Sequence, residues 1–187
     1  MKVVRCDVAV VGAGPAGTSL ALFSAKKGFD VVVLELGSWS KVWGKPCGNG
    51  IGAHHFHNLG LEEPRGDELK LEIEGIRVYS PEEDAFVDVP GRGFIVDRVK
   101  LGQRLLKEAM DSGADVRFNH MVLDPIVEGG YVRGVVAYSS KSGETLRVES
   151  KVVADCSGVS RVVALSLIHI SEPTRPRLIS YAVFCLK

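Results

Sequence analysis

The sequence has no excess of charge of either sign, no long apolar run and few aromatic residues. Its 23 basic and 23 acidic side chains give a formal net charge of zero. Such a chain has no long-range field to attract nucleic acid or an anionic membrane, so nucleic-acid binding is not expected. No segment approaches the roughly 20 apolar residues of a membrane span. The beginning of the chain lacks the pattern of a signal peptide, which favours a cytoplasmic protein.

Cysteines are few, and their spacing excludes two kinds of site. The four cysteines are far apart and form no Cys-x-x-Cys pair, so we expect neither a disulfide framework nor a zinc site. Three histidines, His54, His55 and His57, lie close together in sequence but cannot share one helical face. No set of carboxylates accompanies them, so we expect no metal site.

The apolar pattern predicts an α/β fold that opens with a β-α-β unit. With 187 residues and 45% apolar content, the chain can bury one good core. Residues 3–11 form a β-rich run that ends in glycines, and residues 15–27 read as a helix that ends at Gly28. A second buried strand is predicted at 30–36. The crossover helix requires the two strands to be parallel, as at the start of a doubly wound sheet.

Further along the chain, the pattern predicts antiparallel strands and two more helices. Residues 37–52 are rich in Gly, Ser, Trp and Pro, which is typical of a functional loop. The remaining predicted elements are a short helix at 53–59, antiparallel strands at 71–79 and 85–89, a helix at 97–112, and strands at 115–118, 122–128, 131–139, 144–149 and 151–154.

A Gly-x-Gly-x-x-Gly motif occupies residues 12–17, between the first strand and its helix, which is the context that a dinucleotide site requires. Gly12 permits the tight turn, Gly14 leaves room for a pyrophosphate, and Gly17 lets the helix pack closely on the strand. The start of the helix offers free N–H groups and a positive dipole end to phosphates. Glu35 lies eighteen residues beyond Gly17, where a carboxylate accepts hydrogen bonds from an adenosine ribose and disfavours a 2′-phosphate.

FAD and NAD share this fingerprint, and three further segments distinguish them. Residues 45–51 (KPCGNGI), 96–98 (VDR) and 154–161 (ADCSGVSR) together resemble the geranylgeranyl reductase family, including the archaeal enzymes that saturate prenyl chains. Residues 56–81 resemble that family as well, so the likeness covers roughly residues 4–161. The resemblance implies a truncated, Rossmann-like FAD-binding domain with an inserted antiparallel β segment.

The same resemblance implies which residues hold FAD. Residues around Ala16 would hold the pyrophosphate and Glu35 the adenosine ribose. The implied contacts near the flavin come from Cys47, Gly48 and Gly50, and Arg98 would contact FAD from the start of the following helix. The backbone of Val122 would meet the adenine, and the turn from Asp155 to Gly158 would pass near the adenosine end, although Cys156 and Ser157 replace the usual small residues there.

Alternatives remain for several of these side chains. Cys47 could be a small buried hydrophobic residue instead of an exposed reactive thiol. Arg98 could pair with a surface acid without consequence. Trp39 and Trp43 could stack on the flavin or pack the loop against the protein. The sequence alone does not choose between these interpretations.

The function implied by the resemblance is reduction of carbon–carbon double bonds in geranylgeranyl lipids, with Cys47 as a candidate proton donor. The electron donor could be NAD(P)H, a ferredoxin or a deazaflavin. If the substrate is a membrane lipid, the enzyme would meet the bilayer peripherally. One alternative is an FAD-dependent aromatic hydroxylase or halogenase, which shares the FAD module. Another is an inactive fragment that at most binds nucleotide.

The final residues differ in character from the rest of the chain. Residues 165–175 resemble the translation of a sequencing adapter, and residues 179–187 resemble its distal part. We therefore expect an incomplete FAD-binding domain at residues 1–164 and a non-native tail at 165–187. No helical or strand period connects this tail to the sheet. A chain without the rest of the enzyme is expected to fold poorly and to retain FAD weakly.

Overall fold

The β-α-β unit predicted from the sequence opens the structure, a computed structural model that describes residues 2–171. Small and β-branched residues favour the first strand, whose last three residues are buried, and Pro15 fits the first turn of the helix that follows. Within the described residues the helices are α1 (Pro15–Lys26), α2 (Ala53–Leu59), α3 (Arg98–Asp111) and α4 (Val162–Ser171). The strands of this part of the chain are β1 (Lys2–Val11), β2 (Val31–Leu34), β3 (Gly50–Gly52), β4 (Leu69–Tyr79), β5 (Phe86–Val96), β6 (Asp115–Arg117), β7 (His120–Glu128), β8 (Tyr131–Ser139) and β9 (Thr145–Asp155).

Six strands form the main sheet, in the order β6-β2-β1-β9-β8-β7. β1 pairs in parallel with both β2 and β9, and β2 pairs in parallel with β6. β8 and β7 complete the sheet as antiparallel strands. The carboxyl ends of β1, β2 and β9 therefore meet at one edge, which is where ligands bind in sheets of this kind.

Apolar side chains fill both faces of this sheet. Val10, Val31 and Val33 are fully buried on the side covered by α1 and α3. Ala9, Val11 and other buried residues form a second cluster on the opposite side, to which Val163 of α4 contributes. Burial of one such aliphatic side chain contributes about 1.5–3 kcal/mol, so these clusters fix the position of the strand ends.

A second sheet of three antiparallel strands, in the order β3-β5-β4, confirms the inserted antiparallel segment. The observed β5 is longer than the predicted strand at 85–89, because it continues through Pro90 and Gly91 to Val96. The structure accommodates that pair with a register shift between Ile73 and Gly75 of β4. The predicted loop at 37–52 was also wrong at its end, since β3 pairs with β5 there.

The last strand corrects two further predictions. Residues 144–149 and 151–154 were expected to be separate strands, but β9 is continuous, because Ser150 stays in register with Cys6 of β1. No helical pattern was expected after residue 164, but α4 continues to Ser171, so this expectation was wrong for residues 165–171. Residues 172–187 of the expected tail lie outside the described residues. No helix in the described part of the chain is long and apolar enough to cross a membrane.

Candidate dinucleotide site

The glycine turn between β1 and α1 is held by contacts that only glycine permits. Gly12 has a φ of 97°, and a Cβ at this position would lie 2.7 Å from the carbonyl oxygen of Cys156. A Cβ on Gly17 would collide with the carbonyl oxygen of Gly12. Both glycines are therefore needed for the close packing of α1 on the strand ends, as the sequence predicted.

Gly14 has a different role, because the space beside it is open. A Cβ built on Gly14 would meet no atom within 4 Å. The neighbouring Ala16 is exposed, in the first turn of α1. N–H groups at the start of a helix have no partner within the helix, so those of Ala16 and Gly17 can donate to an anion above Gly14. The open space beside Gly14, together with these N–H groups, fits a pyrophosphate.

Glu35 follows the last residue of β2 and reaches back to this turn. Its carboxylate accepts the backbone N–H of Ala13 over 2.7 Å through one oxygen and that of Gly37 over 2.7 Å through the other. A carboxylate has about four acceptor positions, so two remain for the hydroxyls of a ribose. The arrangement fits the adenosine half of a dinucleotide.

Val122 lies in β7, which starts beside Glu35. The N–H of His120 donates to the carbonyl oxygen of Glu35 over 2.9 Å, so β7 begins at the carboxyl end of β2. The side chain of Val122 is buried in the same cluster as Val11. A contact between its backbone and the adenine stays a prediction.

Cys47 and Gly48 lie on an exposed segment before β3. The thiol of Cys47 is exposed, which excludes the alternative of a buried hydrophobic residue. The N–H of Asn49 is the main cause of a lowered pKa for this thiol, and the positive charge of Arg98 lowers it further. A Cβ on Gly48 would meet nothing within 4 Å, whereas Gly50 begins β3 opposite Ile95.

Arg98 connects α3 to the Cys47 segment. It is the first residue of α3, and its guanidinium donates to the carbonyl oxygen of Lys45 over 3.2 Å. The alternative, an ion pair with a surface acid, does not describe this contact, because the partner of Arg98 is a backbone carbonyl group. Arg98, Lys45 and Trp43 line a cavity of about 280 Å³ together with residues of β5. The structure thus brings Arg98 and Cys47 to one place.

The carboxylate of Asp155 accepts hydrogen bonds from other residues of this chain. It accepts the N–H and hydroxyl of Ser157 and the backbone N–H groups of Val163 and Ala164 at the start of α4. Burial opposes ionisation, but these hydrogen bonds outweigh it and lower the pKa of Asp155. The side chain is therefore a helix cap, and Gly158, at a φ of 69°, forms the turn between β9 and α4.

The sequence analysis left the role of the two tryptophans open, and the structure decides it for Trp43, which packs against the protein. The indole of Trp43 points inward and donates to the carbonyl oxygen of Ala13 and to Thr18. Trp39 packs edge-on against Phe118. Ala13 and Thr18 were not singled out by sequence reasoning, although Thr18 is a polar residue in a largely apolar helix.

Comparison with known proteins agrees with this geometry. Residues 5–174 match the FAD binding domain family. Digeranylgeranylglycerophospholipid reductase from Sulfolobus acidocaldarius is 37% identical over 161 residues, which cover 86% of this chain and 36% of that protein. The chain therefore spans well under half of the length of this relative.

Solved structures show the same fold. A geranylgeranyl bacteriochlorophyll reductase-like protein from Thermoplasma acidophilum has a TM-score of 0.72 at 27% identity, covering 82% of this chain and 39% of that one. A myxobacterial chondrochloren halogenase has a TM-score of 0.69 at 24% identity, covering 83% of this chain and 37% of that one, which is a likeness of fold alone. The family match covers most of the chain, and the glycine turn, the open space at Gly14 and Glu35 fit its cofactor. The chain belongs to the FAD binding domain family.

Proposed function

We propose that this chain is the FAD-binding part of a reductase that saturates carbon–carbon double bonds of geranylgeranyl lipids. The observation that carries the proposal is the exposed Cys47, with its lowered pKa, next to Arg98 and on a segment that Trp43 connects to the dinucleotide turn. The similarity to the Sulfolobus acidocaldarius reductase supports the same class of substrate.

The residues of this chain would bind and orient the cofactor. The N–H groups at the start of α1 would hold the pyrophosphate above Gly14, and Glu35 would hold the adenosine ribose. Arg98 would contact the part of FAD that lies towards the Cys47 segment. FAD supplies hydride chemistry when bound, and the protein supplies orientation and protons.

Cys47 is the candidate proton donor. Saturation of an alkene requires a proton on one carbon in addition to a hydride on the other. The thiol is exposed, and its lowered pKa makes it a stronger acid than an ordinary cysteine. It would hold its proton over a narrower pH range, so the reaction would slow as the pH rises through this pKa.

A chimaera tests the proposal. Residues 1–164 would replace the corresponding segment of the Sulfolobus acidocaldarius relative, and the protein would be reduced with dithionite under anaerobic conditions and given a digeranylgeranyl phospholipid. We expect mass spectrometry to show two added hydrogens for each saturated bond. NADPH, ferredoxin and a reduced deazaflavin would then be compared as electron donors.

The same chimaera distinguishes the alternatives. Consumption of oxygen with an aromatic substrate, without lipid saturation, would instead identify a hydroxylase or halogenase. A chimaera that binds FAD but reacts with neither substrate would support the interpretation of a nucleotide-binding fragment. Vesicle sedimentation would test for peripheral contact with a bilayer.

A further inference from the structure

Trp43 adopts a backbone conformation that bulky residues rarely adopt. Its φ is 57°, in the left-handed region. Such a conformation is unfavourable for a large side chain and persists only where the surrounding structure holds it. The contacts of the indole ring show what holds Trp43 in place.

The indole N–H donates to two acceptors of the dinucleotide turn and its helix. Nε1 lies 3.1 Å from the carbonyl oxygen of Ala13 and 3.2 Å from Oγ1 of Thr18. The Thr18 hydroxyl itself donates to the same Ala13 oxygen over 2.9 Å. Ala13 and Thr18 are both fully buried. Hydrogen bonds in such an environment are strong, and their loss leaves buried groups unpaired.

The face of the ring is held by α3. Gly102 of α3 lies against Trp43, and a Cβ on Gly102 would collide with Cγ of the indole. The ring therefore occupies a slot that exists because residue 102 has no side chain. Its position is fixed from two sides, by α1 and its turn and by α3.

Trp43 lies directly before the segment that carries Cys47. The carbonyl oxygen of Lys45, two residues later, accepts the guanidinium of Arg98. We propose that Trp43 is a positioning residue, which fixes the segment 45–50 relative to the dinucleotide turn so that both sides of the FAD site are arranged before FAD binds. This inference rests on the proposed use of the Cys47 segment. Preorganisation of this kind raises affinity because less conformational freedom is lost on binding.

Hydrogen exchange of the FAD-free chain tests the connection directly. Trp43→Phe keeps an aromatic ring and removes the donor, and Trp39→Phe is the matched control. We expect Trp43→Phe to accelerate amide exchange on the order of tenfold both in residues 12–18 and in residues 45–50. The control should leave both segments unchanged. Acceleration confined to residues 45–50, or none, would overturn the proposal.

A second variant guards against a failure of Trp43→Phe to fold. Gly102→Ala displaces the ring from the other side, so it should accelerate exchange in the same two segments. In a Trp43→Gly background the collision is gone, and Gly102→Ala should then have no effect on exchange. An equal effect in both backgrounds would contradict the proposed role of the slot.

Titration with FAD supplies a second readout. We expect Trp43→Phe to raise the Kd for FAD about five- to tenfold, as the loss of one or two hydrogen bonds implies, and Trp39→Phe to change it less than about twofold. Affinity unchanged in Trp43→Phe would overturn the proposal. A wild-type chain that does not bind FAD would instead contradict the assignment of the site. In that case the exchange experiment decides whether Trp43 connects the two segments.

Discussion

The backbone N–H of Ala13 donates to the carboxylate of Glu35 over 2.7 Å, joining the glycine turn after β1 to the residue that follows β2. The carbonyl oxygen of the same residue accepts hydrogen bonds from Trp43 and Thr18. The backbone of one buried residue is therefore held by three parts of the chain. Its orientation sets the position of the turn that faces the pyrophosphate.

Glu35→Gln should weaken both stability and FAD binding. A glutamine side chain has one acceptor oxygen, so it cannot accept from both Ala13 and Gly37, and its NH₂ group would face a backbone donor. We expect a loss of about 1–3 kcal/mol in the free energy of unfolding, measured in urea. The Kd for FAD should rise at least about tenfold. Glu144→Gln, on an exposed turn, is the control and should change neither quantity.

Cys47 should be the most reactive thiol of the described residues near neutral pH. Its pKa is lowered by the N–H of Asn49 and by Arg98, whereas burial raises the pKa of Cys6 to about 11 and also raises that of Cys156. Alkylation by iodoacetamide should therefore follow an apparent pKa below the ordinary thiol value.

The chain for this alkylation experiment would carry Cys185→Ser, so that a thiol beyond the described residues does not contribute. Arg98→Gln should move the apparent pKa of Cys47 upwards and slow alkylation at neutral pH, because a favourable charge is lost. A rate at Cys47 equal to that of Cys6 would contradict the assignment.

Asp155→Asn should destabilise α4, because the carboxylate caps this helix through Val163 and Ala164. The loss should be about 0.5–2 kcal/mol. Since the folded-state pKa lies below the ordinary 3.8, the stabilisation is present above that value and is lost as the pH falls through the folded-state pKa. Denaturation curves of the two proteins should differ at pH 7 and converge in strong acid. A constant difference across this range would exclude the carboxylate as its source.

The β4–β5 hairpin should make the chain prone to self-association. Ile76, Val78, Val87 and Val89 occupy paired positions on one face and are all about half exposed or more. An aliphatic face of this size normally packs against other protein. The double substitution Val78→Thr and Val87→Thr should reduce ANS binding and shift light scattering towards the monomer, with FAD affinity unchanged.

The opposite face of this hairpin provides a control. Arg77 pairs there with Asp88 over 2.6 Å, and both side chains are about half exposed. Arg77→Thr adds the same β-branched residue without removing apolar surface, so self-association should persist. Equal scattering from the aliphatic-face and Arg77 variants would show that the aliphatic face is not responsible.

The parts of the fold that depend on local chemistry could be predicted from the sequence. The glycine turn, α1 and the parallel pairing of β1 with β2 follow from residue types within one β-α-β unit. The short helix α2 was predicted with its observed bounds. Glu35 was placed correctly because its distance from the turn is fixed by one helix and one strand.

The parts that depend on distant partners could not be predicted. β9 continues through Ser150 because it pairs with β1, nearly 150 residues earlier in the chain. The inward position of Trp43 depends on the absence of a side chain at Gly102 of α3. The residues next to Ser150 and Trp43 in sequence do not indicate these contacts.

The most direct test of the central claim, that this chain holds FAD through its glycine turn, is a titration of FAD into Gly14→Val beside the wild type. A Cβ at Gly14 meets no protein atom within 4 Å, so we expect Gly14→Val to leave folding unaffected while its side chain fills the space of the pyrophosphate. Gly17→Ala is the structural comparison and should lose stability through its collision with Gly12. We predict weak but saturable FAD binding by the wild type, and for Gly14→Val an unchanged melting temperature with the Kd raised at least about a hundredfold. Equal FAD affinity in Gly14→Val and wild type would contradict the account.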